Sequence, residues 1–412
     1  MPVALAVLAV LGALPVGAQA PRSLTLLPGV RITAREMVWA RGAVTGDGPD
    51  GCIVLAGRGG WGEVKGYDST GKPLPWKLAV GRGNDAEILY PSRIGWINGT
   101  STMWVSDPGY SQVALVDARG KVTKSIETPS WLHPHWADRR RFPVFAAMEP
   151  LAMYRDSSML VMPFRERSFL DTPGYDHSVQ HLLRVSWSGA IQKDIAALPL
   201  QQGSITASGP GGSEHTVVIP FAAHTLMATS SDGMRVVIAT PGVATSDSGT
   251  IRVTALDDRG DTVFSRRYPQ PVARIPQAAI DRFLGNVRAF GSSSAEQLRT
   301  AAAAQIPTFR SFLTTVLVGR DHSTWLVMRP AVDSLRERNA LILDAGGDLV
   351  GIVTIPAGEA PIAVNRAHVW ALAASTSRSP TALVRYTVAP TAAPPARSGR
   401  GSASSRPLRP PA

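Results

Sequence analysis

Val113-Ala114-Leu115-Val116-Asp117-Ala118-Arg119-Gly120 is an apolar strand that ends in Asp-x-x-Gly. Asp caps a tight turn through the backbone that follows it, and Gly takes the left-handed position that closes the hairpin. The strands on either side must therefore pair. The same pattern recurs as Gly66-Tyr67-Asp68-Ser69-Thr70-Gly71, as Val253-Thr254-Ala255-Leu256-Asp257-Asp258-Arg259-Gly260 and as Ala340-Leu341-Ile342-Leu343-Asp344-Ala345-Gly346-Gly347. A degenerate copy, Leu183-Arg184-Val185-Ser186-Trp187-Ser188-Gly189, falls between Val113–Gly120 and Val253–Gly260. One such hairpin means little, but an ordered series is an internal repeat.

A second hairpin precedes each of these turns. Arg93–Ile97 and Met103–Ser106 flank Asn98-Gly99, a strong short-range hairpin signal. Equivalent pairs are Leu151–Tyr154 with Met159–Met162, Leu226–Thr229 with Val236–Ala239, and Thr315–Val318 with Thr324–Val327. Near the end, Pro361–Val364 pairs with Val369–Leu372 and then with Leu383–Tyr386. Each unit reads as a four-stranded antiparallel meander, and Asp68 and Asp117 are spaced within the roughly 40–50 residues of a propeller blade. The expected fold is all-β: a six-bladed β-propeller with a small helical insertion, since radial closure protects the sheet edges. The last unit lacks an outer strand, and Ser23-Leu24-Thr25-Leu26-Leu27 is its natural donor.

The stretch Gly81-Arg82-Gly83-Asn84-Asp85-Ala86-Glu87, then Pro91, Met103-Trp104-Val105-Ser106-Asp107 and Val116-Asp117-Ala118-Arg119-Gly120 resembles one blade of the NHL-type, TolB-like six-bladed propellers of exported bacterial proteins. The motif is matched well in this one blade, and the family's usual Gly-Pro-Gly-Glu is Gly83-Asn84-Asp85-Ala86-Glu87 here. The resemblance implies a propeller over most of the mature chain and implies no particular activity.

Composition fits this fold. Hydrophobic residues make up 44% of 412, enough for a sizeable core, and the 38 Gly and 33 Pro suit many turns. Arg outnumbers Lys, and the net charge of +11 is spread along the chain, as codon bias in a GC-rich genome also produces. Neither a continuous basic stripe nor a nucleic-acid motif is present, so no nucleic-acid partner is expected. The single Cys52 excludes an intrachain disulfide, and its apolar setting points to a strand thiol. Val3–Val16 is an apolar run long enough for an export signal and too short to span a bilayer. Residues 1–18 are therefore expected to be a signal peptide, 21–388 the propeller, and 389–412 a disordered tail rich in Pro, Ala and Arg. The mature chain is expected to be periplasmic or extracellular, without a transmembrane segment, and monomeric.

Two insertions interrupt the repeat. Ile280, Phe283, Leu284, Val287 and Phe290 follow helical spacing, with Pro276 at the start, Gly291 at the stop, and Ser294 and Gln297 as a capping box for a second helix, placing a helical hairpin at about 276–304. The other insertion holds His133, His135, Trp136, Arg139, Arg140 and Arg141, a loop whose aromatic and cationic groups suit a small ligand or a protein partner at one propeller face. The function expected is a ligand- or protein-binding module, and no catalytic residue is singled out. The alternative is a metal-dependent hydrolase or lyase in the central channel, for which His135, His224 and His368 are the conceivable ligands of a divalent metal, although no ligand spacing selects them. No Gly-x-Ser-x-Gly elbow, Walker loop, Rossmann fingerprint or HExxH motif occurs.

Overall fold

Asp117 makes its turn through two hydrogen bonds. In the computed structural model its Oδ1 accepts the backbone N–H groups of Arg119 and Lys121, each at 2.9 Å. Gly120 takes φ 77° and donates its N–H to the Asp117 carbonyl at 3.0 Å. Asp68, Asp257 and Asp344 repeat this arrangement. In the degenerate copy the Ser186 hydroxyl stands in for the carboxylate and accepts the N–H of Ala190 at 3.0 Å.

The structure describes residues 22–33, 43–57, 62–81, 88–128, 147–164, 179–199, 204–208, 214–219, 221, 223–242, 248–287, 292–329, 337–374 and 380–391. The first strand is β1 (Arg22–Thr33). A four-stranded sheet follows, of β2 (Ala43–Asp47), β3 (Ile53–Gly57), β4 (Gly62–Tyr67) and β5 (Pro73–Val80). The next holds β6 (Arg93–Trp96), β7 (Met103–Asp107), β8 (Gln112–Val116) and β9 (Val122–Glu127). A third holds β10 (Ala147–Met153), β11 (Ser158–Phe164), β12 (Val179–Ser186) and β13 (Ile191–Pro199). A separate hairpin, β14 (Ser204–Ser208) with β15 (Glu214–Val218), precedes β16 (Leu226–Thr229), β17 (Arg235–Pro241), β18 (Ser248–Asp257) and β19 (Thr262–Arg274). Two helices, α1 (Gln277–Asn286) and α2 (Ser292–Gln305), lead to β20 (Phe309–Ser311), which adds to the edge of β19. Last come β21 (Leu313–Val318), β22 (Thr324–Met328), β23 (Arg338–Leu343) and β24 (Leu349–Ile355), then β25 (Glu359–Val364), β26 (His368–Ala374) and β27 (Pro380–Pro390).

Within each sheet the strands pair in chain order and antiparallel, and the hairpins around Asn98-Gly99, Asp232-Gly233 and Asp321-His322 form as their sequences indicate. β1 is the exception in order. It pairs antiparallel with β27 from Leu24↔Pro390 to Thr33↔Ala382, giving the last unit its outer strand, and runs parallel to β24 over Arg22–Leu24. The inner strands neighbour one another in turn, β2 with β6, β6 with β10, β16 with β21, β21 with β25 and β25 with β2. The Thr229 hydroxyl donates to the Leu151 carbonyl at 3.3 Å and links β16 to β10. The result is a propeller-like ring of sheets.

Hydrophobic burial explains why middle strands such as β7, β8, β22 and β23 carry apolar residues at successive positions. Side chains alternate between the two faces of a strand, and both faces of these sheets are covered. On β23, Leu341 and Leu343 pack with Val237 and Val253, whereas Ala340 and Ile342 pack with Val369 and Val384 on the other side. Val54 and Val116 share one such core, Trp104 and Leu183 another, and Leu182 and Val236 a third. The ring is closed by a core of Ile32, Ile53, Leu55, Tyr67, Trp370 and Leu383, which joins the unit completed by β1 to the β2–β5 sheet.

The Asp-x-x-Gly turns add a second link between sheets. A Cβ on Gly120 would lie 2.6 Å from Trp76 of β5, one on Gly260 3.0 Å from Ile195 of β13, and one on Gly347 2.7 Å from Phe264 of β19. Gly71 meets Val30 of β1 in the same way. Each turn glycine therefore accepts a side chain from the outer strand of the preceding sheet. At the degenerate turn, Trp187 is instead covered by Lys124 of β9, whose Nζ lies 4.9 Å from the ring centroid.

The insertion forms a satellite core of Ile219, Val287, Leu298 and Ala302, with Phe283 and Leu284 packed on it and Phe283 edge-on to Phe221 at 6.3 Å. Pro276 is extended immediately before α1. Ser294, expected to cap the second helix, lies inside its first turn, because α2 begins at Ser292. Among the described residues no helix is long and apolar enough to cross a membrane. Residues 1–21 and 392–412, which hold the expected signal peptide and most of the tail, lie outside the described residues.

Two substitutions test this architecture. Gly347→Ala places a Cβ against Phe264 at φ 83° and is expected to cost about 2–4 kcal/mol. Ile32→Ala empties part of the closing core and is expected to cost about 2–4 kcal/mol. Both are read from urea midpoints of the purified chain. A loss below about 0.5 kcal/mol for either would contradict the packing assigned to that residue.

Candidate ligand site

The inner strands surround a cavity of about 120 Å³, lined by Asp47, Arg93, Leu151, Thr229, Val318 and Ala363 among others. One end of it is closed by the turn from β16 to β17. The Ser231 hydroxyl donates to the Asp47 carbonyl at 2.6 Å, and the Ser231 carbonyl accepts the N–H of Trp96 at 2.7 Å. A Cβ on Gly95 would lie 2.7 Å from that carbonyl, so only glycine admits the approach. The turn is stiff: Asp232 accepts from Ser230 at 2.6 Å and from the Met234 N–H at 3.2 Å, and Tyr154 donates to the Gly233 carbonyl at 3.1 Å.

A larger cavity of about 330 Å³ opens on the same end of the ring. It lies among the turns that join the first two strands of three units, Gly48–Cys52, Gly319–Ser323 and Asn365–Ala367, with His368, Trp370 and Arg385 on its wall. Its volume is that of a small-molecule site. Each turn is fixed locally. Pro49 opens a single 3₁₀ turn in which Asp50 and Gly51 both take positive φ, 58° and 72°. Trp370 is buried, and its Nε1–H donates to the Gly51 carbonyl at 3.3 Å. Asn365 Oδ1 accepts the N–H groups of Ala367 and His368 at 2.8 and 2.7 Å. Asp321 accepts from Ser323 N–H and hydroxyl through Oδ1, and from Arg366 N–H through Oδ2 at 2.7 Å.

The cavity's bases are not satisfied in this way. Nη1 of Arg320 and Nε of Arg385 are buried without a hydrogen-bond partner. Burial holds the Arg385 guanidinium below its ordinary range, and no carboxylate offsets the effect. Burial and then Arg385 hold the His368 imidazole below its usual value. Asp47, which lines both cavities, is pushed up to about 6 by burial, against the opposing influence of Ser231 and Arg320. Close by, Arg235 is buried with Nε and Nη1 unpartnered, and its Nη2 lies 3.4 Å from His322 Nδ1. At this end of the ring Arg235, Arg320 and Arg385 each carry a buried N–H without a hydrogen-bond partner.

The sequence-predicted residues fare unevenly. His133, His135, Trp136, Arg139, Arg140 and Arg141 fall in 129–146, outside the described residues. His224 precedes β16, whereas His368 follows the first turn of its unit and lines the larger cavity. Inner strands run from one end of the ring to the other, so the two histidines sit at opposite ends, separated by several residues of strand rising about 3.3 Å each. His224 has Arg329 beside it, which with burial holds its imidazole low. The structure does not bring His224 and His368 together. Among the described residues no group of three or more His, Cys, Asp and Glu could hold a metal ion. Asp47, Arg320 and Arg385 were not anticipated. The one local signal for them is position, since Asp47 and Arg320 border first-to-second strand turns.

Asp47 gives a pH test. Its carboxyl titrates near 6 in the folded chain against an ordinary value of 3.8, so its contribution to stability is fully present below 3.8 and lost as pH rises through 6. Asp47→Asn should therefore gain about 2 kcal/mol relative to the parent between pH 4 and pH 7.5, read as the difference in urea stability of the two proteins. A difference that stays constant over that range would show that Asp47 is not held in this way.

No protein-family model and no curated protein matches the chain. Among solved structures it is similar to a DUF4221-family protein from Bacteroides vulgatus, at 8% identity over 90% of this chain and 99% of that one, with a TM-score of 0.44. It is similar to an exported-protein candidate from Bacteroides fragilis at 11% identity, over 88% and 94% of the two chains, with a TM-score of 0.45. It is similar to the calcium-binding protein regucalcin from Agrobacterium tumefaciens at 10% identity, over 90% and 98%, with a TM-score of 0.38. At these values the likeness adds nothing to the strand pairing, on which the fold rests.

Proposed function

We propose that the chain is an exported six-bladed β-propeller that works as a binding module for a small ligand, with the 330 Å³ cavity as its site. The blades are β2–β5, β6–β9, β10–β13, β16–β19, β21–β24, and β25–β27 completed by β1. The Val3–Val16 run within residues 1–18 supports export. The observation that carries the function is the pair of buried, unpartnered guanidinium N–H groups, on Arg320 and Arg385, in the walls of a cavity of ligand size. Buried polar groups are almost always satisfied, so unsatisfied N–H groups on two arginines that line one cavity support a partner that arrives from outside and draws the guanidiniums toward it. The His133–Arg141 loop is the competing location for the site.

The test is a thermal-shift screen of the full mature chain against a chemically diverse set of small metabolites, repeated with Arg385→Met and with Trp136→Ala. The expected result is at least one ligand that raises the melting temperature of the parent and of Trp136→Ala, with the shift lost in Arg385→Met. A ligand lost only in Trp136→Ala would move the site to the loop. No stabilising ligand in the whole set would overturn the small-ligand module.

A further inference from the structure

We infer that the cavity takes a small monocarboxylate with an apolar body, its carboxylate held between Arg320 and Arg385. The inference rests on the cavity being the binding site, and it concerns the chemical class of what enters.

The donors come first. Arg320 belongs to the β21–β22 turn and Arg385 to β27, so the two guanidiniums reach the cavity from separate blades. Each has a buried N–H with no acceptor. Guanidinium meets carboxylate through paired N–H···O bonds better than it meets any neutral group, and a buried cation gains most from such a partner. Among the described residues no hydrogen bond or ion pair joins an acidic residue of the cavity to either guanidinium, and Asp47 acts on Arg320 only through space. Asp321 spends both oxygens on Ser323 and on the Arg366 N–H. Asp50 is exposed on the rim. Asp47 takes part through its backbone carbonyl with Ser231, and its carboxyl is desolvated.

The acids decide the charge of the ligand. Asp47, Asp50 and Asp321 all line the cavity, so a dianion such as phosphate meets more repulsion there than a monoanion does. The remaining wall decides the body. Ala363, Val364 and buried Trp370 give the cavity an apolar side, and Arg385 is spread over the Trp370 ring, 5.9 Å from its centroid. A carboxylate group at the arginines with a short aliphatic or aromatic body along that side satisfies both surfaces.

The arrangement also predicts how the variants behave without ligand. An unpaired buried cation costs stability, so its removal should not destabilise the empty protein. Arg385→Met keeps the length of the apolar stem and removes the charge.

The experiment is isothermal titration calorimetry on the full mature chain with butyrate and benzoate, their neutral amides butyramide and benzamide, and inorganic phosphate. At least one acid is expected to bind, with its amide and phosphate each about tenfold weaker or more. Arg320→Met and Arg385→Met are each expected to weaken the acid about tenfold or more, while melting without ligand is unchanged or higher in Arg385→Met. Amides that match their acids, phosphate that matches or exceeds them, or acid binding kept in both variants would overturn the inference. So would failure of both acids to bind. If in that case a neutral or cationic metabolite from the thermal-shift screen still loses binding in Arg385→Met, the cavity remains the site and only the carboxylate assignment falls. If no metabolite binds at all, the binding module falls with it.

Discussion

At four places in the chain an Asp-x-x-Gly turn ties a sheet to itself and to its neighbour. The carboxylate takes two backbone N–H groups that the reversal would otherwise strand, as Asp117 does with Arg119 and Lys121. The price of that geometry is a left-handed residue three positions on, which only glycine adopts without strain. Having no side chain, the glycine leaves a slot, and the preceding outer strand fills it: Trp76 over Gly120, Ile195 over Gly260, Phe264 over Gly347. A single hydrogen bond here contributes about 1 kcal/mol. The buried cores between sheets contribute far more, but they need the sheets held at a fixed spacing, and the turns set it. The closing seam uses the same device, with Val30 of β1 over Gly71.

That seam is also where the candidate site lies. Closing the ring brings the first sheet against the unit completed by β1, through Ile32, Tyr67, Trp370 and Leu383. The turn Gly48–Cys52 then projects over Trp370, and the space left among the turns is the 330 Å³ cavity. The space between the inner strands is smaller, about 120 Å³. Ser231 reaches across to Asp47 and Trp96 and closes it at this end. A cavity between sheets follows from the same closure that makes the fold stable.

The repeat was legible in sequence because its signals are local. Asp, Gly and the apolar runs around them lie within eight residues, and the donor strand at Ser23–Leu27 follows from an unpaired edge. The hairpin β14–β15 was not legible, since Ser204–Ser208 and Glu214–Val218 carry no Asp-x-x-Gly turn and no strong apolar alternation. The cavity was not legible either. Asp47, Arg320 and Arg385 come from distant units, and each looks like an ordinary residue in or beside a turn. His368 drew notice as a metal ligand, yet its neighbours are Arg385 and Asn365, a setting that holds a neutral imidazole in a cationic wall. Composition hinted at metal chemistry through the number of histidines and said nothing of where strand direction would send them.

The charge pattern follows from the turns. The chain has 42 Lys and Arg against 31 Asp and Glu, an excess that codon usage could explain if it stayed on the surface. Inside, the aspartates are spent on backbone. Asp68, Asp117, Asp257 and Asp344 cap outer turns, and Asp156, Asp232 and Asp321 cap inner ones. Arg184 is mostly buried and paired with Asp156, whereas Arg266 meets Asp348 at the surface, where such a pair contributes little. Arg235, Arg320 and Arg385 are left with buried N–H groups unmatched. A fold shaped for stability alone would pair these cations or replace them with apolar side chains, which is often neutral or favourable. Of the carboxylates that line the cavity only Asp321 is committed to a turn, and among the described residues no hydrogen bond or ion pair joins any of them to Arg320 or Arg385, which is the setting in which an incoming carboxylate is proposed.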